Sequence, residues 1–306
     1  MSSNVKEVKS IIARHKRHDA IFAIVGLLAL AVGLLTLLAL IIDLAIDGMP
    51  NLSWSFFTSF PSRFPERAGI LSAWVGTTLI MLVTAGSAVP LGVAAGVYLE
   101  EYAAKNWLTT LIEINIANLA AVPSIVYGLM ALSLFVYQFN LGQSVATAGL
   151  TLALLILPMV IIATREAIRA VPRNIREASM ALGATRWQTV QHHVLPYSTG
   201  GILTGVIIAL SRAIGESAPL ITIGALTFIA FLPTAPILPE APYVSFQWLL
   251  DPYTAMPIQM FNWVSRPQEA FHHNAAAAGL VLMGMTLVMN GLAIWLRFRF
   301  RKRIKW

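Results

Sequence analysis

Six long apolar runs dominate this sequence and limit what it can fold into. A helix rises about 1.5 Å per residue, so crossing the hydrocarbon core of a bilayer takes about 20 mainly apolar residues. The runs that are long enough are Ile21–Ile46, Trp74–Leu99, Leu108–Tyr137, Gly142–Ala163, Gly200–Phe231 and Ala275–Leu296. We therefore predict an all-α fold, a polytopic membrane bundle of about six transmembrane helices.

The composition agrees with a membrane environment for most of the chain. Hydrophobic residues make up 57% of the sequence and charged residues 11%, whereas soluble domains contain about 45–50% and about 25%. No stretch has the composition of a second, soluble domain, so we expect residues 1–306 to form one membrane domain with its core at about 70–297. The cysteine count of 0 excludes disulfides, thiol catalysis and cysteine metal sites.

The net charge of +7 does not indicate nucleic-acid binding, because the basic residues lie beside the apolar runs. They cluster before the first run, between the fourth and fifth, and after the sixth: Lys6, Lys9, Arg14, Lys16, Arg17; Arg165, Arg169, Arg173, Arg176, Arg186; Arg297, Arg299, Arg301, Lys302, Arg303, Lys305. The first run is longer than the core of a signal peptide, so we interpret it as an uncleaved helix. Because positive residues favour the cytoplasm, we predict that both termini lie on the cytoplasmic side of the cell membrane.

The polar segment at about 165–196 has the pattern of two short capped helices. Asn174 and Glu177 have the spacing of a capping box and predict the start of the first helix. Gly183, which tolerates a left-handed conformation, predicts its end. The segment is therefore expected to form a rigid, angled cytoplasmic projection.

Thr185 and Gln188 repeat the capping box for a second short helix, which we expect Pro196 to interrupt. A small apolar face suited to a partner groove would be formed by Ala178, Ala181 and Leu182. From the pattern alone, a connector that merely covers helix ends is an equally good interpretation.

The fifth run contains two charged residues, Arg212 and Glu216, which are four residues apart and share one helix face. Counted from Gly200, Arg212 lies about 18 Å along the helix, near or just beyond the middle of the hydrocarbon core. A purely structural ion pair is one explanation, but such a pair stabilises less than apolar packing does. The planar donors of arginine also suit a tetrahedral oxyanion, which favours a place on a transport path.

The run Glu177-Ala178-Ser179, followed by Gly183 and Leu195-Pro196, resembles the EAA motif of binding-protein-dependent ABC importers. The resemblance implies a MetI-like, type I permease fold whose coupling helix docks on an ATPase through Glu177, Ala178, Ser179 and Gly183. The chain has no Gly-x-x-x-x-Gly-Lys-Ser/Thr loop. ATP and Mg²⁺ would therefore bind to the ATPase subunit, and we expect this chain to bind no cofactor and to be no enzyme by itself.

The stretch Arg212–Leu220 resembles the phosphate permease subunits of the Pst system, and Pro90–Ala103 and Asn118–Leu129 extend the likeness. The resemblance implies a permease for inorganic phosphate, surrounded by membrane lipid, whose substrate path includes Arg212, Glu216 and Ser217. It also implies three protein partners: the homologous permease subunit PstC, two copies of the ATPase subunit PstB, and the phosphate-binding protein PstS.

Three other functions need comparison with this interpretation. A secondary transporter would use buried charges but would not need an ATPase-docking projection. An intramembrane enzyme would need a nucleophile and a base at membrane depth, and all 6 histidines lie outside the apolar runs. A permease for sulfate or molybdate would use Arg212 equally well, so the physical argument leaves that alternative open.

Several further polar and aromatic residues have simpler explanations. The pairs His192-His193 and His272-His273 do not predict a metal site, because adjacent residues on a helix point apart. In the third run we expect Glu113, Asn115 and Asn118 to be interhelical hydrogen-bond partners. Trp248 and Trp263 lie in the proline-rich segment Leu232–Asn274, which we predict to be on the outer side of the membrane. We expect these two tryptophans to lie at the membrane interface or to contact a partner protein.

Overall fold

The computed structural model describes residues 2–237 and 243–301, with side chains described only within 15–299. Some basic side chains behind the topology prediction lie outside this description: Lys6, Lys9, Arg14, Arg301, Lys302, Arg303 and Lys305. Within the described ranges the chain is helical. Its α-helices are α1 (Ser2–Gly48), α2 (Trp54–Thr58), α3 (Leu71–Val97), α4 (Trp107–Ala120), α5 (Ser124–Ala131), α6 (Val145–Arg169), α7 (Arg173–Ala181), α8 (Arg186–Thr189), α9 (Leu195–Ala213), α10 (Ala218–Thr222), α11 (Met256–Val264) and α12 (Glu269–Arg301).

Five of the helical segments in the described ranges are long and apolar enough to cross a membrane alone: His15–Asn51, Leu71–Tyr102, Val145–Arg169, Arg186–Ala213 and Glu269–Arg299. A sixth crossing results if α4 and α5 are counted as one span, although the two are bent by 103° relative to each other. The prediction of a polytopic all-α bundle with about six spans is therefore confirmed.

Two of the predicted spans are interrupted. The third run breaks at Pro123, which is the N-cap of α5, because proline lacks the N–H that would continue α4. The fifth run does not extend to Phe231, since α9 ends at Ala213 and only the short α10 follows. Gly215, in an irregular turn, separates α9 from α10.

Helix α6 is the centre of the bundle, because 72% of the residues in its most apolar 18-residue stretch are buried. Its neighbours α3 and α9 approach it closely, because each presents two glycines one helical turn apart. A Cβ on any of these glycines would collide with an α6 side chain. The pairs are Gly92 with Val160, Gly96 with Thr164, Gly201 with Ala167, and Gly205 with Ala163.

Helix α1 is peripheral and runs antiparallel to α12. Gly48 lies against the backbone of Ala276, and Leu44 lies against Gly279. At the opposite end of α12, Arg297 Nε would lie 3.9 Å from a Cβ on Gly200 in the first turns of α9. The start of α1, the end of α12 and the start of α9 therefore share one end of the bundle.

The segment after α10 folds over the opposite end of the bundle, where Val145 N–H donates to the carbonyl of Asp251 at 3.1 Å. Trp248 and Trp263 are both buried, with relative exposures of 7% and 0%. The expectation that they lie at a membrane interface or contact a partner is therefore wrong. Trp263 stacks on Phe271 with ring centroids 6.4 Å apart, so it serves the core of this chain.

Candidate functional site

Arg212 lies at the end of α9, one residue before the helix stops. Its Nε is 3.7 Å from Oε1 of Glu216, and its Nη1 is 3.4 Å from the sulfur of Met159. Met159 lies near the middle of α6, which is itself a span. The guanidinium therefore lies at about mid-depth of the bundle, as the sequence predicts, although at a helix end instead of inside a helix.

The Arg212–Glu216 pair is open on one side. The arginine side chain is 41% exposed and the glutamate side chain 19% exposed. The 3.7 Å between Arg212 Nε and Glu216 Oε1 is too long for a hydrogen bond, so within the described part of the chain the guanidinium donates no hydrogen bond to a carboxylate. Such a half-paired arginine has the free donors that an oxyanion would need.

The broken helices surround this pair. The hydroxyl of Tyr127 in α5 donates to the carbonyl of Leu119 in α4 at 2.8 Å. Behind Tyr127, Gly128 lets α5 approach α10 so closely that a Cβ there would collide with Thr222. The bend between α4 and α5 therefore places α5 against α10, the helix that follows Glu216 and Ser217.

Ser217 is the N-cap residue of α10, but its side chain does not cap that helix. Its carbonyl accepts from the N–H of Ile221 at 2.9 Å, and the residue is partly buried. Within the described part of the chain, its hydroxyl makes no hydrogen bond. Ser217 thus lies next to Glu216 with its hydroxyl available.

The predicted projection is present as the corner formed by α7 and α8. Gly183 has a φ of +88° and ends α7, as predicted. Thr185 and Gln188 form the predicted capping box of α8. The predicted box at Asn174 and Glu177 is wrong, because α7 begins at Arg173, two residues before the predicted start, and its N-cap is Pro172, which makes no side-chain cap.

Pro196 does not interrupt the second helix of the corner. Residues Arg186–Ala213 form one continuous span in which Val190–Val194 is a π-helical turn. Pro196 lies in the first turn of α9, directly after this wider turn. A proline is tolerated at that position because its missing N–H is not needed there.

The exposed face of the corner is apolar. Ala178 and Ala181 are exposed, and Leu182 is 90% exposed. Glu177 is exposed beside them. Ser179 points the other way, being buried with its hydroxyl 2.9 Å from that of Thr189. Ser179 and Gly183 therefore fix the shape of the corner, while the other residues form its surface.

A set of ionised side chains at the same end of the bundle was not predicted as a site. We call it the charged cluster; it consists of Glu100, Glu101, Glu113, Arg165, Arg169 and Arg176. It lines a cavity of about 760 Å³ between α4, α6 and α7. The sequence contains these charges, but no spacing rule connects residues on helices this far apart in the chain.

Arg165 is the buried arginine of the charged cluster, and it contacts two carboxylates. Its Nη2 lies 2.6 Å from Oε1 of Glu113, and its Nε lies 3.6 Å from Oε2 of Glu100. Glu113 therefore does pair with another helix, as expected. Asn115 does not, because its amide donates to the carbonyl of Leu111 in its own helix.

The sequence and the fold match a known class of membrane protein. Residues 88–305 match the family of binding-protein-dependent transport system inner membrane components, and the chain belongs to that family. It is 32% identical over 291 residues to the phosphate transport system permease protein PstA of Haemophilus influenzae, covering 94% of this chain and 95% of that protein. It is also 32% identical over 264 residues to the probable ABC transporter permease protein YqgI of Bacillus subtilis, covering 85% of this chain and 88% of that protein.

A solved structure agrees at the level of the fold. An inward-facing structure of the MetNI methionine ABC transporter superimposes with a TM-score of 0.56 at 16% identity, covering 76% of this chain and 94% of that chain. The predicted MetI-like permease fold is therefore confirmed.

Proposed function

We propose that this chain is one permease subunit of an ATP-driven importer for inorganic phosphate in the cell membrane. The observation that carries the proposal is the half-paired Arg212 at mid-depth, 3.7 Å from Glu216 and 41% exposed. A charge at this depth is costly unless it faces a polar path. The relatives named as phosphate permeases support phosphate as the anion.

In this proposal Arg212 binds phosphate oxygens with its free donors as the anion passes. Glu216 orients the guanidinium and competes with the anion for it, so that phosphate is not held too tightly to leave. Ser217 offers its hydroxyl from the next position. The open side of Arg212 would face the homologous permease subunit, which completes the path.

The corner of α7 and α8 would be the coupling element. Its apolar face, with Leu182 at the tip, fits a groove on an ATPase subunit, as in helix-in-groove recognition. ATP and Mg²⁺ would bind to two copies of that subunit and not to this chain. A phosphate-binding protein would deliver the anion to the opposite end of the bundle.

The substrate is tested by reconstituting the complex with its partners and measuring ATP-dependent uptake of labelled phosphate, sulfate and molybdate into vesicles. We expect phosphate to accumulate and the other two anions to stay at background. Accumulation of sulfate or molybdate without phosphate would instead support the alternative, a permease for another oxyanion. Uptake that needs an ion gradient but no ATP would indicate a secondary transporter.

Both termini are predicted to be cytoplasmic, at the end of the bundle that carries the corner. The proximity of Arg297 to Gly200 supports this arrangement, because it brings the end of α12 next to the start of α9. Reporter fusions at Met1 and Trp306 should both report the cytoplasm, and a fusion within residues 243–255 should report the outside. A reporter at Trp306 found outside the cell would contradict the topology.

A further inference from the structure

We infer that the ion pair of Glu113 and Arg165 is a positioning device, which links the ATPase-docking corner to α4 and thereby to the transport site. The inference goes beyond the proposed function, because it assigns a role to residues outside the substrate path. It depends on three features of the charged cluster: how α4 is held, how the cluster reaches α7, and what lies at the other end of α4.

Helix α4 is weakly held in the described structure. None of its residues is buried, and Glu113 is its only charged residue. The Nη2 of Arg165, 2.6 Å away on α6, is the only described ion-pair partner of Glu113. An element with few buried contacts moves more easily than a core helix. The pair with Arg165 therefore largely determines where the cytoplasmic half of α4 lies.

The cluster also binds α7 directly. Glu100 and Glu101 lie in the π-helical turn that follows α3, and they face different helices. Glu100 pairs with Arg165 and Arg169 of α6, at 3.6 Å and 3.0 Å. Glu101 pairs with Arg176 of α7 at 2.6 Å. The same Arg176 donates to the carbonyls of Ile168 and Val171, so α7 is joined firmly to the cluster.

Arg165 has two carboxylate partners on two different elements. It binds Glu113 closely, while its Nε is buried and makes no hydrogen bond, 3.6 Å from Glu100. Because Nη2 and Nε lie against different carboxylates, the guanidinium connects α4 to the turn after α3. A displacement of that turn would therefore reach Glu113 through Arg165.

The far end of α4 reaches the transport site. Leu119 lies six residues after Glu113, about 9 Å along the helix. Its carbonyl accepts the hydroxyl of Tyr127, and the next residue, Gly128, lies against Pro219 and Thr222 of α10, the helix that follows Glu216 and Ser217. A tilt of α4 at Glu113 would therefore move Tyr127 beside the substrate path. Docking of an ATPase on α7 thus has a continuous route to Arg212.

The variant Glu113→Gln removes this link without changing the size of the side chain. In the reconstituted complex we expect ATP hydrolysis to continue. The number of phosphate ions transported per ATP should fall on the order of tenfold, because the coupling free energy between the ATPase-docking corner and the transport site is lost. The matched control is Glu166→Gln, one residue from Arg165. Among the described residues Glu166 pairs with Arg169 alone, and both side chains are more than half exposed, at 62% and 52%. This control should keep the wild-type ratio.

The ratio of phosphate to ATP does not depend on how much complex assembles, so it separates coupling from stability. If Glu113→Gln prevents assembly, Glu113→Asp keeps the charge and should give an intermediate ratio. An unchanged ratio in the variant, or a wild-type ratio in the Glu113→Leu, Arg165→Leu double variant, would overturn the inference, since an apolar pair can replace a merely structural one. If the wild type carries a different anion, the proposed substrate is wrong, and the ratio for that anion still tests the link.

Discussion

Replacing Arg212 with alanine is expected to reduce phosphate uptake by about 100-fold or more, because the path loses its charged hydrogen-bond donors to phosphate, each worth about 1.5–3 kcal/mol. The chain should still insert and assemble, since the side chain is 41% exposed and contributes little to the core. Arg212→Lys should restore little transport, because lysine keeps the charge but loses the planar fork of donors. The measurement is uptake of labelled phosphate at matched membrane abundance.

The controls distinguish a substrate-binding arginine from a structural one. Arg63→Ala removes an equal charge from an exposed side chain outside the spans and should transport normally. The double variant Arg212→Leu, Glu216→Leu replaces the pair with apolar side chains, which costs little if the pair is only structural. Near-normal uptake by the double variant would rule out Arg212 as part of the phosphate path.

Leu182→Asp is expected to abolish association with the ATPase subunit. The side chain is 90% exposed at the tip of the corner, so the substitution should not destabilise this chain. A carboxylate at the centre of an apolar docking surface must be desolvated without a partner, which is strongly unfavourable. The measurement is co-purification of the ATPase subunit with the permease from membranes, together with ATP hydrolysis.

The matched control for this experiment is Ile237→Asp. Ile237 is 78% exposed and lies in the segment that covers the opposite end of the bundle. It introduces the same charge at a similarly exposed aliphatic residue, and it should leave co-purification unchanged. Equal loss in both variants, or full retention in Leu182→Asp, would contradict the assignment of the corner as the docking surface.

The sequence predicted those features that depend on local pattern. Span positions follow from the length of apolar runs, and Gly183 and Thr185 follow from the preferences of individual residues at helix ends. Both act over a few residues, so no knowledge of the fold is needed. The depth of Arg212 was likewise predictable from its position along the chain.

The features that were missed depend on contacts between distant residues. The break at Pro123 could not be distinguished from a tolerated kink, because neighbouring helices decide which of the two occurs. The π-helical turn before Pro196 has no sequence signature of its own. The pairing of Glu113 with Arg165 depends on how α4 packs on α6, so composition alone identified the charges but not their partners.

The peripheral position of α1 has a consequence for biosynthesis. This helix leaves the ribosome well before α12, the helix it packs on. During translation α1 therefore stays alone in the lipid until α12 is made. In agreement with this, no residue of its most apolar 18-residue stretch is buried in protein. The outer seam of the bundle closes only when α12 has been synthesised, so α1 acts first as an anchor and only later as part of the fold.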